Sequence, residues 1–373
     1  MSHSLSQDEK LMQRALELSL KARVTAPPNP WVGCVIVNEG EIVGEGFTQP
    51  PGKPHAEVVA LEQAKTKTNK ATVYVTLEPC SHFGRTPPCA KALIEAKVSR
   101  VVIGLQDPDA NVRGQGIQQL RAAGIEVVTG ICAHPIAQTL APYLHHRRTG
   151  RPFCLAKGAI SIDGRIAAKD HTSKWITSPE ARREAHRHRA ESQAIIVGAG
   201  TAMIDQPHLT VRDTDPMPLI PPLRVVLDAK GEVPAEGPLF DVTTASTLIV
   251  TTAECPELSV KTWQKLGVEV AFVSKAKSGF GVNLEETLDL LGKRNILQVL
   301  IEGGGTLLGA FLEAELIQHL SIDVGACILG NHGLPLFRTD MIDTLANGVK
   351  LTLLNTQTFG STVRLNYSLT ESQ

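Results

Sequence analysis

One histidine and two cysteines, His55, Cys80 and Cys89, place the tightest demand on how this 373-residue chain folds. An imidazole and two thiolates form a suitable ligand set for Zn²⁺, which in catalytic centres takes three protein ligands and keeps a fourth position for water. To act together, the segments His55-Ala56-Glu57 and Pro79-Cys80 to Cys89 must meet at one point. Glu57 is placed to move protons for water at the metal, whose pKa falls to about 7 there, without binding the ion itself. A lone histidine in a helix is usually structural. It is the conjunction with Glu57 and with a Pro-Cys pair after a β-rich run that favours metal. A purely structural zinc site would call for a fourth protein ligand, for which His82 is the nearby candidate.

The surrounding pattern supplies elements to hold these residues. Ser6-Gln7-Asp8-Glu9 reads as a capping box opening a helix to about Arg23. Residues 32–37 and 42–43 read as a hairpin about Asn38-Glu39-Gly40. The spacing of Val58, Val59, Leu61 and Ala64 predicts a helix from His55, and residues 72–77 a strand running into the cysteine segment. Pro87-Pro88 suits a helix start, so Cys89 opens the next helix. A strand at 101–105, a loop at 106–116, a helix at 117–123, a strand at 125–128 and a helix at 135–144 follow. This alternation indicates α/β class: a mixed sheet with flanking helices.

Composition bounds the rest. The length favours two domains. A formal net charge of −1 and 4% aromatic residues argue against a nucleic-acid partner. The absence of an apolar run long enough to span a bilayer argues against a membrane partner, and a cytoplasmic enzyme is expected. Seven cysteines make a poor disulfide framework, and Cys34, Cys132, Cys154, Cys255 and Cys327 read as small inert hydrophobes.

The basic stretch 145–152 ends in Gly and Pro and reads as an interdomain linker, dividing the chain into domains 1–148 and 149–373. Beyond it a strand at 153–157 leads on, and Ser178 caps a helix with Pro179 at its first position and Arg182, Arg183, Arg187 and Arg189 along it. Further strands are expected at 194–197, 223–228, 247–250 and 268–273, and residues 198–201 and 205–212 as polar loop. Strand 299–302 runs into Gly303-Gly304-Gly305 and a helix from Leu307, a combination suited to cradling phosphate. It has neither the lysine of a Walker loop nor the spacing of a Rossmann fingerprint.

Pro28-Asn29-Pro30-Trp31-Val32-Gly33, His55-Ala56-Glu57 and Thr76-Leu77-Glu78-Pro79-Cys80-Ser81-His82-Phe83-Gly84-Arg85-Thr86-Pro87-Pro88-Cys89 together resemble the bifunctional pyrimidine deaminase/reductase family of bacterial riboflavin biosynthesis. The zinc nucleobase deaminase pattern H-x-E…P-C-x-x-C is matched except that eight residues separate the cysteines, a long insert that sets this family apart from cytidine and tRNA-adenosine deaminases. The resemblance continues through Lys157, Ser161-Ile162-Asp163-Gly164-Arg165, Trp175-Ile176-Thr177-Ser178, Asp205 to Arg212 and Glu302-Gly303-Gly304. It implies a cytidine-deaminase-like N-terminal domain and a C-terminal dihydrofolate-reductase-like α/β domain. It also implies one Zn²⁺, NADPH, a phosphorylated pyrimidine substrate and a homo-oligomer.

By that resemblance His55, Cys80 and Cys89 ligate zinc, Glu57 is catalytic, and Asn29, His82 and Arg85 contact substrate. Ala159, Trp175, Thr201, Asp205, Gly304, Gly305, Thr306, Leu307, Leu308, Gly309 and Ala310 would line the NADPH site. Ser173, Arg189, Leu209, Arg212 and Glu302 would hold the second substrate, with Lys157 and Asp163 nearby. Asp109 stands where the family usually carries asparagine, which puts a contact there in doubt. Two other readings compete: a nucleoside or tRNA deaminase with a degenerate reductase, and a non-catalytic zinc-stabilised module.

Overall fold

A computed structural model describes residues 5–81, 87–110, 112–277, 279 and 281–369. The chain forms two compact units, residues 1–150 and 151–373.

The first unit opens with α1 (Gln7–Leu20), whose capping box is closed by Glu9 N–H donating to Ser6 Oγ and Ser6 N–H to Glu9 Oε2. Its apolar face buries Met12, Ala15, Leu16 and Leu18. β1 (Gly33–Asn38) and β2 (Glu41–Phe47) form the hairpin, turning at Glu39 and Gly40 with positive φ. Next come α2 (Ala56–Ala64), β3 (Thr72–Leu77), α3 (Cys89–Glu95), β4 (Arg100–Leu105), α4 (Gln115–Ala122), β5 (Glu126–Thr129), α5 (Ala133–Thr139) and α6 (Ala141–Thr149). The sheet runs β2-β1-β3-β4-β5, with β1 antiparallel to both neighbours and β3, β4 and β5 parallel. Two glycines set where α2 lies. A Cβ at Gly44 would stand 2.2 Å from Ala60 O, and one at Gly46 2.2 Å from Ala56 O. Without side chains there, the helix that starts at His55 packs directly on strand backbone.

The second unit continues with β6 (Phe153–Ser161), β7 (Arg165–Ala167), α7 (Pro179–Ala190), β8 (Ala194–Gly198), α8 (Ala199–Asp205), β9 (Leu223–Leu227), β10 (Thr247–Thr251) and α9 (Glu257–Lys265). It ends with β11 (Glu269–Phe272), α10 (Leu284–Lys293), β12 (Gln298–Ile301), α11 (Gly305–Glu313), β13 (His319–Gly325), β14 (Leu334–Pro335), β15 (Thr352–Phe359) and β16 (Thr362–Ser368). Nine strands order as β11-β10-β9-β8-β12-β6-β13-β16-β15. The seven from β11 to β13 are parallel, and β16 and β15 are antiparallel. Both faces of the parallel part are buried: Cys154, Ile196, Val225 and Phe311 pack on one side, and Leu155, Ile195, Val226 and Trp263 on the other. This explains why the strands read as near-continuous apolar runs.

The mixed sheet with flanking helices and the second α/β unit are as expected, but four local readings change. The stretch 145–152 does contain the division between the units, at Gly150 and Arg151, but residues 145–149 are helical: they end α6, where their cations complement the helix dipole, and Gly150 closes it in the left-handed conformation. Residues 199–205, read as part of a polar loop, form α8, which Gly198 precedes in extended geometry. The helix read at 135–144 is two, α5 and α6, meeting at Leu140. Finally, β7 and the whole β13 to β16 region lie beyond what the pattern revealed; β7 and β14 are only three and two residues long, and β15 is exposed along most of its length.

A buried carboxylate secures the loop after β4. Asp107 is 4% exposed, accepts the Tyr143 hydroxyl at 3.1 and 3.0 Å, and accepts Asp109 N–H at 2.9 Å. Burial, partly offset by those hydrogen bonds, pushes its pKa up to about 6. A carboxyl whose pKa is raised by folding stabilises the fold fully below its unfolded pKa, and that contribution is lost as pH rises through 6. Urea unfolding of the Asp107→Asn variant between pH 4 and 7 should therefore lack a decline of about 3 kcal/mol present in the parent chain; parallel stability curves would contradict this.

Candidate active sites

His55 immediately precedes α2 in extended conformation, Cys80 follows β3, and Cys89 is the first residue of α3. His55 Nδ1 lies 3.7 Å from Cys80 Sγ and 3.4 Å from Cys89 Sγ, and the three candidate ligand atoms all fall within 4.8 Å of one another. A tetrahedral zinc with bonds of about 2.3 Å to sulfur and 2.0 Å to nitrogen sets ligand atoms about 3.6 Å apart. The separations of His55 from the two sulfurs therefore match the ligand spacing of a Zn²⁺ site. The triad also favours a thiolate at one of its two cysteines: the Cys89 side chain, then His55 and the Cys89 backbone N–H, outweigh burial and hold the Cys80 thiol below its ordinary value, while Cys80 and burial push the Cys89 thiol up. Glu57, in the first turn of α2, is 4% exposed with its carboxyl beside the Cys89 thiol. Burial, reinforced by Cys80, pushes it up to about 6, a range in which a carboxyl can both take and return a proton.

Glu78 stands two residues before Cys80 in the sequence motif, and no local pattern marks its role. Its buried carboxylate accepts the backbone N–H groups of Asp107, Gly114 and Ile117 at 3.3, 3.0 and 3.2 Å. Gly116 completes the joint, since a Cβ there would stand 2.1 Å from Pro79 O. The segment leading to Cys80 is thus fixed to the start of α4. Asn29 lies half-buried in the turn before β1, its N–H donating to Ala26 O. Asp109 has its carboxylate 3.1 Å from Arg147 Nε. The expected contacts His82 and Arg85 lie outside the described residues.

In the second unit, a cavity of about 1160 Å³ opens along the C-terminal ends of the central parallel strands. It gathers Ala159, Ser173, Arg189, Thr201, Asp205, Leu209, Glu302, Gly304, Gly305, Thr306, Leu307 and Ala310 from the expected set, together with Lys157. Arg189, turned inward from α7, grips Glu302 bidentately at 2.8 and 2.6 Å and donates to Thr210 O at 3.0 Å. Burial opposes the charge on Glu302, but Arg189 prevails and holds it below the usual carboxylate range. Nothing lies within 4 Å of where a Cβ would stand on Gly304, so the N-terminus of α11 is open to a ligand. An open helix start beside a cavity of this size fits a dinucleotide phosphate.

Five expected residues stand elsewhere. Leu308 is fully buried in the core, and Gly309 packs where a Cβ would be 1.9 Å from Arg338 O, because the helical period turns both away from the cavity. Trp175 is 68% exposed with the Arg182 guanidinium 4.2 Å from its ring centre. Arg212 is exposed and donates its N–H to His186 Nδ1 at 3.2 Å. Asp163 clamps a loop, accepting from Ser161 Oγ and from the N–H groups of Leu329 and Gly330. Those bonds, the Ser161 hydroxyl first, pull its pKa down to about 2. Conversely, Arg338 lines the cavity but comes from a stretch that carried no sequence signal.

Comparison with known proteins finds relatives of both units. Residues 5–105 match the family model for the cytidine and deoxycytidylate deaminase zinc-binding region, and residues 152–365 match the RibD C-terminal domain. The riboflavin biosynthesis protein RibD of Chlamydia pneumoniae is 45% identical over 360 residues, covering 96% of this chain and 94% of its own. The Escherichia coli protein of the same name is 40% identical over 351 residues, covering 91% and 94%. Among solved structures, Acinetobacter baumannii RibD superposes with a TM-score of 0.88 at 38% identity, covering 97% of this chain and 98% of that one. A Thermotoga maritima diaminohydroxyphosphoribosylaminopyrimidine deaminase/5-amino-6-(5-phosphoribosylamino)uracil reductase superposes at 0.82 with 32% identity over 97% and 98%. With matches of this extent in both units, the chain belongs to the RibD family, bifunctional deaminase and reductase enzymes of riboflavin biosynthesis.

Proposed function

We propose that the first unit hydrolytically deaminates a diaminopyrimidinone carrying a ribosylamino 5-phosphate, giving the corresponding aminouracil, and that the second reduces its ribosyl group to ribityl with NADPH. The observation that carries this reading is the meeting of His55, Cys80 and Cys89 beside buried Glu57, in one chain with a cavity holding Arg189 and Glu302.

Zinc bound by the triad supplies the Lewis acidity that makes water a nucleophile near neutral pH. Glu57 takes one proton from that water and gives it to the pyrimidine ring, then takes the second proton from the same oxygen and gives it to the departing ammonia. Its burial keeps this transfer away from bulk solvent. Asn29 hydrogen-bonds the pyrimidine edge, and His82 and Arg85 hold the phosphate.

NADPH supplies the hydride for the second reaction, and the protein's share is positioning and electrostatics. The N–H groups at the start of α11, from Gly304 onward, receive its phosphates, and Ala159, Thr201 and Asp205 line the same cavity. Ser173, Arg189, Leu209 and Glu302 hold the ribosylamino substrate, with the Arg189–Glu302 pair fixing donor and acceptor directions before it arrives. The same reading makes the enzyme cytoplasmic and homo-oligomeric; β15, at the sheet edge and exposed along most of its length, is available to a second copy.

Mass spectrometry of the pyrimidine after incubation with zinc-loaded protein tests both halves. An amino-to-oxo change without NADPH, and a further gain of two hydrogens only with it, are expected; neither change in zinc-containing protein overturns the reading. Glu57→Gln should lower deamination by at least about a hundredfold while zinc content stays at the parent level. Cys89→Ser should instead lose the metal on dialysis, as read by elemental analysis. Arg189→Met should reduce kcat/KM for reduction by about tenfold or more and leave deamination unchanged, since it strands Glu302 without its partner.

A further inference from the structure

Beneath the second cavity lies a chain of charges that reduction by the proposed chemistry does not by itself require. Asp323 on β13 is 1% exposed and faces Arg364 across the antiparallel β13–β16 pair. The two are joined bidentately, Nε to Oδ1 at 2.7 Å and Nη2 to Oδ2 at 3.1 Å. On the other side, β13 runs parallel to β6 with Ser321 opposite Lys157 and Asp323 opposite Ala159. Lys157 Nζ reaches Asp323 Oδ2 at 3.7 Å, while its side chain stays 17% exposed on the cavity wall.

Arg364 already neutralises Asp323, so Lys157 adds a surplus cation to the cluster. Glu302, the nearby cavity carboxylate whose charge Lys157 influences, is taken up by Arg189. Within the Asp323 cluster two cations meet one carboxylate, and Lys157 is the member that lines the cavity. Burying an ion pair this deep costs several kcal/mol per ion and is often no better for stability than apolar packing. What it adds here is a fixed carboxylate under a flexible four-carbon stem. An ammonium has three donors and its ion pair with Asp323 uses at most one, leaving the others for an occupant of the cavity.

We propose that Asp323 is a positioning residue for the reductase site: held by Arg364, it sets the Lys157 ammonium where it donates to an electron-rich oxygen of the sugar or pyrimidine. This rests on the second-unit reading above.

Full-length Asp323→Asn, Lys157→Met and the double variant test it by steady-state kinetics, with NADPH affinity from fluorescence titration as the check on the second unit. Asp323→Asn should lower kcat/KM for reduction by about tenfold, the scale of one hydrogen bond to a charged group, with NADPH affinity unchanged. In the Lys157→Met background the same change should matter by less than about twofold. An equal loss in both backgrounds, or no loss in either, overturns the proposal. Should Asp323→Asn not fold, Asp323→Leu with Arg364→Met removes both buried ions and carries the same expectation; full reductase activity in that variant also overturns it. A second readout needs no substrate. Competitive acetylation followed by mass spectrometry should modify Lys157 severalfold faster in Asp323→Asn than in the parent, and an unchanged rate means Asp323 does not hold it. If the parent chain reduces nothing while Lys157 reactivity still rises, the second-unit reading has failed and the positioning role has not.

Discussion

The Glu78 carboxylate is the joint on which the first site depends. It lies between β3 and Cys80, and its oxygens take up two backbone N–H groups from the connection between β4 and α4 and a third from the first turn of α4. Two adjacent parallel strands therefore end in a shared, hydrogen-bonded floor. Without it, those N–H groups would be buried and unmatched, each at a cost of about 1–3 kcal/mol, and the segment entering Cys80 would lose its anchor. The histidine side is set by a different physical device. Gly44 and Gly46 let α2 rest on β2 at backbone distance, so the start of that helix has little freedom to shift. Metal geometry in this unit thus follows from backbone contacts made some distance from the ligands.

The second unit relies on paired charge. Arg189 and Glu302 come from a helix and a strand end that are far apart in sequence, and each would be poorly tolerated alone at their depth. Paired, they present a cavity wall whose hydrogen-bond directions are set in advance. The open first turn of α11 gives the same cavity a site for anionic groups that needs no side-chain cation. One wall therefore recognises through fixed side chains and the other through backbone.

What was legible in the sequence had short-range causes. Ser6 and Ser178 announce helix starts because their side chains bond within three residues, and both do so. The metal triad was legible because its residue types serve few other purposes in combination. The stretch 145–152 marks the division between the units, but the pattern does not show that 145–149 are helical, because residues suited to a solvated linker are also suited to the last turn of a helix. Likewise Leu308 and Gly309 were assigned to the cavity with their neighbours, since a resemblance carried along a stretch ignores that a helix turns successive residues in different directions. Glu78 and Asp323 act through partners more than twenty-five residues away, so no local pattern marks them.

The strand order of the second unit also fixes when its cavity can exist. β6, the first strand of that unit to be synthesised, sits in the interior of the sheet between β12 and β13, two of the last. During translation it must wait, apolar and unpaired, until most of the chain has left the ribosome. The strands β8 to β11, by contrast, pair with neighbours close behind them. The deaminase unit can complete its sheet from its own 150 residues during that interval. A ribosome-bound nascent chain thus passes through a stage in which the first catalytic centre is assembled and the second is not, and the exposed edge of β6 is then its main liability for aggregation.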